Sequence, residues 1–202
     1  MSRALSIEQL ISKSIRDSLE VKSALLRDKD FLSLLTTVGK RMAEALRKGN
    51  KIIYFGNGGS AADAQHLGAE LTGRYVRDRR GLPGLALTVN ASSITAIAND
   101  YSYDMVFARQ LESLSNPGDV AVGISTSGNS ANVLKAVQVG RKRGLLTIDM
   151  TGRSGGKLKP AVDYCICVPS EDTPRIQESH ILIGHILCEI IEELLSHEGN
   201  LS

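Results

Sequence analysis

Two segments rich in glycine and hydroxyl side chains have the composition of anion-binding turns. Residues 56–60 read Gly-Asn-Gly-Gly-Ser, and residues 125–130 read Ser-Thr-Ser-Gly-Asn-Ser. Glycines let backbone N–H groups converge on an anion, and hydroxyls donate to phosphate oxygens. Neither segment carries the lysine of a Walker loop, and the first does not match the dinucleotide pattern G-x-G-x-x-G. A lysine-free cradle favours a small sugar phosphate over a nucleoside triphosphate with magnesium. Its hydroxyl donors are Ser60, Ser125, Thr126, Ser127 and Ser130.

His66 and Glu70 follow the first of these segments at a spacing of four residues, which places both on one face of a helix. Such a pair can bind one metal ion, act as an acid and a base, or form a surface ion pair. The spacing alone leaves these interpretations open.

The last apolar segment of the chain carries four polar side chains: Gln177, Glu178, His180 and His185. An isolated histidine on an apolar helix is usually a core residue, and four polar groups weaken that interpretation. Gln177 and His185 would lie roughly 12 Å apart on a straight helix. Both can bind one metal only if the helix bends or if subunits share the site.

The elements that would position these residues alternate between short apolar runs and helical spacing. Strands are predicted at residues 52–55, 85–88, 120–124, 145–148 and 164–168, and helices between them at 60–72, 92–98, 103–114 and 130–143. Continuous apolar strands alternating with helices predict a doubly wound α/β fold with a mainly parallel, five-stranded sheet. Both turns then lie at the carboxyl edge of the sheet, where such folds bind ligands. A final helix is predicted at 174–195.

The organisation predicted is one domain over residues 1–202, in which a helical hairpin at 1–48 precedes an α/β core at 49–202. The hairpin helices, 6–26 and 30–46, have apolar residues every three or four positions. The hairpin could cover the sheet, bind a partner, or do both.

Charge and composition exclude several classes of protein. The formal net charge is only +2, which gives no reason to expect nucleic acid. A run of charged residues is interpreted as a solvated loop near an anionic ligand, with a nucleic-acid patch as the alternative: Arg74, Arg77, Asp78, Arg79 and Arg80. We find no signal-peptide pattern and no apolar stretch long enough to span a bilayer, and therefore expect a cytoplasmic protein without membrane contact.

The three cysteines are odd in number and lack a framework spacing, which argues against a secreted disulfide scaffold. Cys165 and Cys167 would share one face of a strand. They are interpreted as buried thiols, with a metal or redox pair as the alternative.

Residues 55–75 resemble the sedoheptulose 7-phosphate isomerase (phosphoheptose isomerase) family, which belongs to the sugar isomerase (SIS) domain superfamily. The segment reads Phe-Gly-Asn-Gly-Gly-Ser-Ala-Ala-Asp-Ala-Gln-His-Leu-Gly-Ala-Glu-Leu-Thr-Gly-Arg-Tyr. The resemblance continues in order through 98–100, 124–130 and 175–185 and so spans nearly the whole chain. One departure is Pro174, where some members have an acidic residue.

The resemblance implies a zinc site, one ion per subunit, at His66, Glu70, Gln177 and His185. It also implies substrate contacts at Glu70, Gln177, Ser60 and the following positions: Asn57, Gly58, Gly59, Asn99, Asp100, Ser125, Thr126, Ser127 and Ser130. Such proteins are homotetramers with active sites near subunit interfaces.

The implied reaction converts sedoheptulose 7-phosphate to D-glycero-D-manno-heptose 7-phosphate through an enediol, for the synthesis of bacterial surface glycans. Our hypothesis is that Glu70 is the carbon base and that His185 exchanges protons with the sugar oxygens.

Three alternatives remain at this level. The replication-initiator-associating DiaA proteins have a very similar SIS fold and begin the motif in the same way, but act as a scaffold and lack the residues matching Glu70 and His185. A phosphosugar-sensing regulatory module is a second alternative, although the hairpin lacks a basic recognition face. An isomerase for a different sugar phosphate is the third, because the cradle recognises phosphate better than chain length.

Overall fold

The computed structural model describes residues 5–196. Two helices open the chain, α1 (Ile7–Arg27) and α2 (Lys29–Arg47), and the single residue Asp28 joins them. Ser6 begins α1 with a capping box, because its hydroxyl accepts the N–H of Gln9 and the Gln9 side chain accepts the N–H of Ser6. The two predicted N-terminal helices are therefore confirmed.

Five strands of the described chain form one sheet. They are β1 (Ile52–Gly56), β2 (Gly84–Ala86), β3 (Val120–Ser125), β4 (Leu146–Thr151) and β5 (Tyr164–Cys167). Their order is β2-β1-β3-β4-β5, and each neighbouring pair is parallel. The predicted strands are confirmed, and the sheet is wholly rather than mainly parallel.

The helices that follow the strands cover both faces of the sheet. They are α3 (Gly59–Thr72), α4 (Ala91–Asp100), α5 (Val106–Leu114), α6 (Ala131–Lys142) and α7 (Thr173–Ser196). The predicted helix at 103–114 is divided, since a 3₁₀ turn at Tyr103–Met105 precedes α5. Such turns are frequent at helix N-termini. No helix in the described part is long and apolar enough to cross a membrane.

Two apolar cores lie on opposite faces of the sheet, because successive strand residues point to opposite sides. Tyr54 and Val122 belong to the core formed with α2, α3 and α7. Phe55 and Ala121 belong to the core formed with α5 and α6. Every residue of β1 and β3 is buried, which explains their continuous apolar sequence.

The strand order reverses between β1 and β3. From β1 the chain crosses to β2 at one edge, and β3 then lies on the other side of β1. In open α/β sheets a crevice forms at such a switch point, outside the carboxyl ends of the strands. The turns after β1 and β3 therefore flank this crevice.

Candidate active site

The turn after β1 runs directly into α3. Gly58 has a φ of 57°, in the left-handed region that favours glycine. At Gly56 a Cβ would lie 2.8 Å from the carbonyl oxygen of Ile124, so a side chain has no room there. Ser60 is buried in the first turn of α3. This compact backbone leaves the N-terminus of α3 at the crevice, where its free N–H groups and partial positive charge favour an anion.

The turn after β3 has a similar design. Gly128 has a φ of 64°, and its N–H donates to the carbonyl of Ser125 at 3.0 Å. The hydroxyls of Ser125 and Ser130 lie 2.9 Å apart. Residues 152–158 cover the outside of the turn, since the N–H of Leu158 donates to the Gly128 carbonyl at 3.0 Å. Two of the predicted phosphate-binding hydroxyls are thereby held together, with Thr126 and Ser127 in the same turn.

Asn57 links the two halves of the crevice through an amide pair with Asn132 of α6. The Asn57 Nδ2 donates to Asn132 Oδ1 at 2.9 Å, and Asn132 Nδ2 donates to Asn57 Oδ1 at 2.8 Å. The hydroxyl of Tyr103 also donates to Asn57 Oδ1 at 3.0 Å. Neither Asn132 nor Tyr103 was predicted from the sequence. The sequence signal for Asn132 was its place two residues after the Ser125–Ser130 segment, in the first turn of the helix that follows.

Further along α3 from the first of these turns, three side chains of α3 and α7 converge. His66 Nε2 lies 2.9 Å from Glu70 Oε1 and 3.2 Å from His185 Nε2. One ligand atom from each of the three residues falls within 4.8 Å of the others. The two imidazole centroids are 5.0 Å apart, and the Tyr75 ring lies 5.5 Å from that of His185. We refer to His66, Glu70 and His185 as the triad.

The spacing of the triad fits a single cation. Two ligand atoms that each lie 2.0–2.1 Å from a tetrahedral zinc are about 3.3–3.4 Å apart. The separations of 2.9 and 3.2 Å are close to that value. Three protein ligands with one open position are the arrangement of catalytic zinc sites.

Gln177 lies two turns before His185 on α7, beside the first turn. A Cβ on Gly59 would lie 2.4 Å from Gln177 Nε2, so the absence of a side chain at Gly59 makes room for this amide. Further along, a Cβ on Gly184 would lie 2.4 Å from a Leu67 methyl carbon. The two helices therefore run side by side, with Gln177 at the turn and His185 at the triad.

His180 and Glu178 of α7 lie outside the triad. His180 is fully buried, its Nε2 lies 3.2 Å from the carbonyl of Thr151, and burial lowers its pKa to about 4. Its Nδ1 has no hydrogen-bond partner among the described residues. Glu178 accepts a hydrogen bond from Ser18 at 2.7 Å and joins α7 to α1.

Asn99 and Asp100 end α4, and both are exposed. The amide of Asn99 donates to the carboxylate of Asp100 at 3.0 Å.

The arginine run was predicted to be a solvated loop, and this is wrong for Arg79. Its side chain is fully buried and forms an ion pair with Glu192 of α7, with Nε 2.7 Å from Oε1. The physical reason is that α7 supplies a buried carboxylate opposite the loop, which local sequence does not reveal.

The prediction that Cys165 and Cys167 share one face is confirmed, since their Sγ atoms lie 3.6 Å apart. The interpretation of both as buried thiols is wrong, because β5 is the edge strand and leaves them only partly buried; both are free thiols.

The SIS-domain family model matches residues 21–152, which include both turns, His66 and Glu70. The phosphoheptose isomerase of Aneurinibacillus thermoaerophilus is 50% identical over 185 residues, covering 92% of this chain and 93% of the relative. The phosphoheptose isomerase of Aliarcobacter butzleri is 53% identical over 191 residues, covering 88% and 100%. The solved phosphoheptose isomerase of Neisseria gonorrhoeae superposes with a TM-score of 0.87 at 40% identity, covering 93% and 100%.

The chain belongs to the phosphoheptose isomerase family. This membership confirms the predicted resemblance and the SIS-type fold. His185 lies beyond the part matched by the SIS-domain model, on the helix that completes the triad. In this member of the phosphoheptose isomerase family, the residues matched by the SIS-domain model thus supply His66 and Glu70, and the last helix supplies His185.

Proposed function

We propose that the protein is an aldose–ketose isomerase that converts sedoheptulose 7-phosphate to D-glycero-D-manno-heptose 7-phosphate, for activated-heptose synthesis in bacterial surface glycans. The observation that carries this proposal is the convergence of the triad on the helix that begins at the first phosphate-type turn, in a phosphoheptose isomerase family member. Moving a carbonyl from C2 to C1 requires a base for a carbon-bound proton and stabilisation of the developing oxyanion.

The phosphate end of the substrate binds at the switch point. The N–H groups at the start of α3 and the hydroxyls of Ser125 and Ser130 supply donors from two sides. We assign supporting contacts to the other residues predicted from the sequence: Asn57, Gly58, Gly59, Ser60, Asn99, Asp100, Thr126, Ser127 and Gln177. Fixing this end brings the reacting carbons to the triad, where correct positioning lowers the barrier.

Glu70 takes a proton from C1 and returns it to C2. His185 donates a proton to the C2 oxygen as the enediol forms, and accepts one from the C1 oxygen as the new carbonyl forms. These transfers balance without a redox cofactor. The proximity of both side chains to His66 supports this division of roles, because one small site then faces adjacent sugar atoms.

We propose zinc as the cation, with His66, Glu70, His185 and Gln177 as ligands. Because Gln177 lies two helical turns before His185 on α7, we propose that Gln177 comes from another subunit, where it also contacts the substrate. When bound, zinc supplies Lewis-acid polarisation of the sugar oxygens.

We also propose a homotetramer, as the resemblance implies. Its support is a row of apolar residues on α1 that remain more than half exposed: Ile7, Leu10, Ile11, Ile15 and Leu19. A contiguous exposed apolar patch of this kind usually marks a protein–protein contact. A second copy of the chain is the occupant we propose, with active sites near the interfaces.

Cytoplasmic localisation is proposed as well. Its support is that the described cysteines are all free, although the Cys165 and Cys167 sulfurs lie 3.6 Å apart. Free thiols at this distance suit a reducing compartment.

A DiaA-like scaffold role is not favoured. The positions that distinguish the two families are 70 and 185, and here Glu70 and His185 are both present within one group of ligand atoms.

The test is incubation of purified protein with sedoheptulose 7-phosphate, following aldose formation with and without a chelator. We expect turnover that the chelator removes and zinc restores. Glu70→Gln should lower kcat at least a thousandfold while the protein still binds the sugar phosphate, because the amide cannot take a proton.

Glu112→Gln on the exposed surface of α5 is the matched control, and it should keep wild-type kcat. Near-wild-type turnover by Glu70→Gln would disprove the role of Glu70. No turnover by zinc-loaded wild type would disprove the proposed function.

A further inference from the structure

Arg79 and Glu192 form a buried ion pair behind the triad. The Arg79 side chain is 0% exposed and that of Glu192 2%, with Nε 2.7 Å from Oε1. Burying two charges costs solvation free energy, and an apolar pair of similar size is often as stable. Stabilisation alone therefore does not explain why two charged side chains are buried here.

The Glu192 carboxylate fastens the loop that follows α3 to α7. Its Oε1 accepts the N–H of Tyr75, and its Oε2 accepts the N–H groups of Val76 and Arg77, each at 3.0 Å. Three consecutive backbone donors are thus satisfied by one side chain of another helix. The loop cannot move away from α7 without leaving the buried Glu192 carboxylate without these donors.

The Arg79 guanidinium caps the end of α3. Its Nη2 donates to the carbonyl of Glu70 at 2.8 Å, and its Nη1 donates to those of Leu71 at 2.9 Å and Gly73 at 3.2 Å. Carbonyls in a last helical turn lack intrahelical partners, and helix ends fray for that reason. Since α3 ends at Thr72, Glu70 belongs to that last turn.

The same pair fixes the distance between the two helices that carry the triad. Glu192 lies seven residues after His185, on the same face of α7. The loop that it holds places the Tyr75 ring 5.5 Å from the imidazole of His185. Arg79 therefore contacts the backbone of Glu70, and Glu192 of α7 holds the loop whose Tyr75 ring packs against His185.

We propose that Arg79 and Glu192 are positioning residues that hold Glu70 in register with His66 and His185. The expected loss of kcat rests on the proposed function. The expected loss of Zn²⁺ affinity does not depend on which reaction the protein catalyses. Both side chains are buried away from solvent, so we assign neither of them a contact with the substrate.

The experiment compares Glu192→Gln and Arg79→Lys with wild type. Glutamine keeps the shape but loses the charge and one acceptor, and lysine keeps the charge but lacks the planar fork that reaches several carbonyls. Apo-protein is titrated with Zn²⁺ against a chromophoric chelator, and kcat and KM are measured with sedoheptulose 7-phosphate. Trimethylamine N-oxide is present throughout to favour the folded state, which circular dichroism checks.

We expect both variants to bind Zn²⁺ at least tenfold more weakly and to lose at least tenfold in kcat. The KM should change less than twofold, because the phosphate-binding turns lie at the other end of α3. The matched control is Glu193→Gln, the same substitution at the next position, where the half-exposed side chain pairs with Arg77. It should leave all three quantities unchanged.

Wild-type Zn²⁺ affinity and kcat in folded Glu192→Gln and Arg79→Lys would overturn the inference and reduce the pair to a stabilising contact. Equal losses in Glu193→Gln would also overturn it. If wild type binds Zn²⁺ without isomerising the sugar, and only Glu192→Gln and Arg79→Lys weaken that binding, the inference holds and the proposed function fails.

Discussion

Asp149 on β4 is fully buried, and neither of its carboxylate oxygens has a hydrogen-bond partner among the described residues. It lies against Gly123 of β3, where a Cβ would be 2.3 Å from Oδ1. Burial raises the pKa of this carboxyl well above its usual range, and the nearby Cys167 thiol adds to the effect. The folded protein therefore holds a proton that the unfolded chain releases near pH 3.9.

This proton makes stability depend on pH. A raised pKa means that the folded state binds more protons, so the free energy of unfolding falls as pH rises from about 3.9 through the folded-state pKa. The loss is about 1.4 kcal/mol for each pH unit of that window. Asp149→Asn cannot titrate, and its stability should fall less than that of wild type between pH 5 and pH 8.

Urea unfolding at pH 5 and pH 8 measures this difference. Asp78→Asn, the same change on an exposed loop residue, serves as the control and should follow wild type. Parallel pH profiles for Asp149→Asn and wild type would contradict the prediction.

At the scale of elements, the two strand-to-helix turns depend on glycines for different reasons. Gly128 combines a left-handed φ of 64° with close contact, since a Cβ would lie 2.3 Å from the carbonyl oxygen of Gly155. Gly59 instead faces the movable end of the Gln177 side chain. Gly128 is therefore less tolerant of substitution than Gly59, because backbone cannot give way as a side chain can.

Gly128→Ala should reduce stability and raise the KM for the sugar phosphate at least tenfold, because the turn that carries Ser125 and Ser130 must shift. Gly49→Ala is the matched control: Gly49 also has a left-handed φ, of 82°, but within the described chain no atom beyond its immediate neighbours lies within 4 Å of its Cβ position. The free energy of unfolding of Gly49→Ala should fall by only about 1–2 kcal/mol, which is the cost of a left-handed φ for alanine, and its KM should not change. Thermal unfolding and steady-state kinetics measure both effects, and equal behaviour of the two variants would refute the argument.

At the scale of the whole molecule, α1 buries only Leu25 and leaves its apolar row facing outward. An amphipathic helix keeps such a row when another surface covers it. Ile15→Lys should therefore dissociate the proposed tetramer, because it places a charge in a desolvated contact.

Sedimentation equilibrium gives the mass before and after this change. Glu20→Lys, on a different face of α1, should leave the assembly intact. A wild type that sediments as a monomer would contradict the proposed assembly, as would an Ile15→Lys variant with unchanged mass.

Local patterns were sufficient to predict several parts of this molecule. The central strands β1 and β3 are apolar runs, and both phosphate-type turns follow them. His66 and Glu70 were predicted to share a helix face, and they do. These features depend on residues close together in the chain, so periodicity and turn composition are enough to recognise them.

Contacts between distant segments were not predictable in the same way. The amide pair joins Asn57, in the turn after β1, to Asn132 of α6, and nothing near either residue indicates the other. Arg79 was expected to be solvated because its neighbours are charged. Its side chain is instead buried, where it pairs with the Glu192 carboxylate of α7.

The glycine-rich turns, the alternation of strands with helices and the spacing of His66 and Glu70 were thus determined by the sequence itself. The tertiary structure decided that β1 and β3 are neighbours, that His185 joins His66 and Glu70, and that Arg79 and Glu192 hold α3 against α7. The physical reason is that each of these contacts closes a long loop. Its partner is selected by packing and by the pairing of buried polar groups across the whole chain, and not by the local sequence.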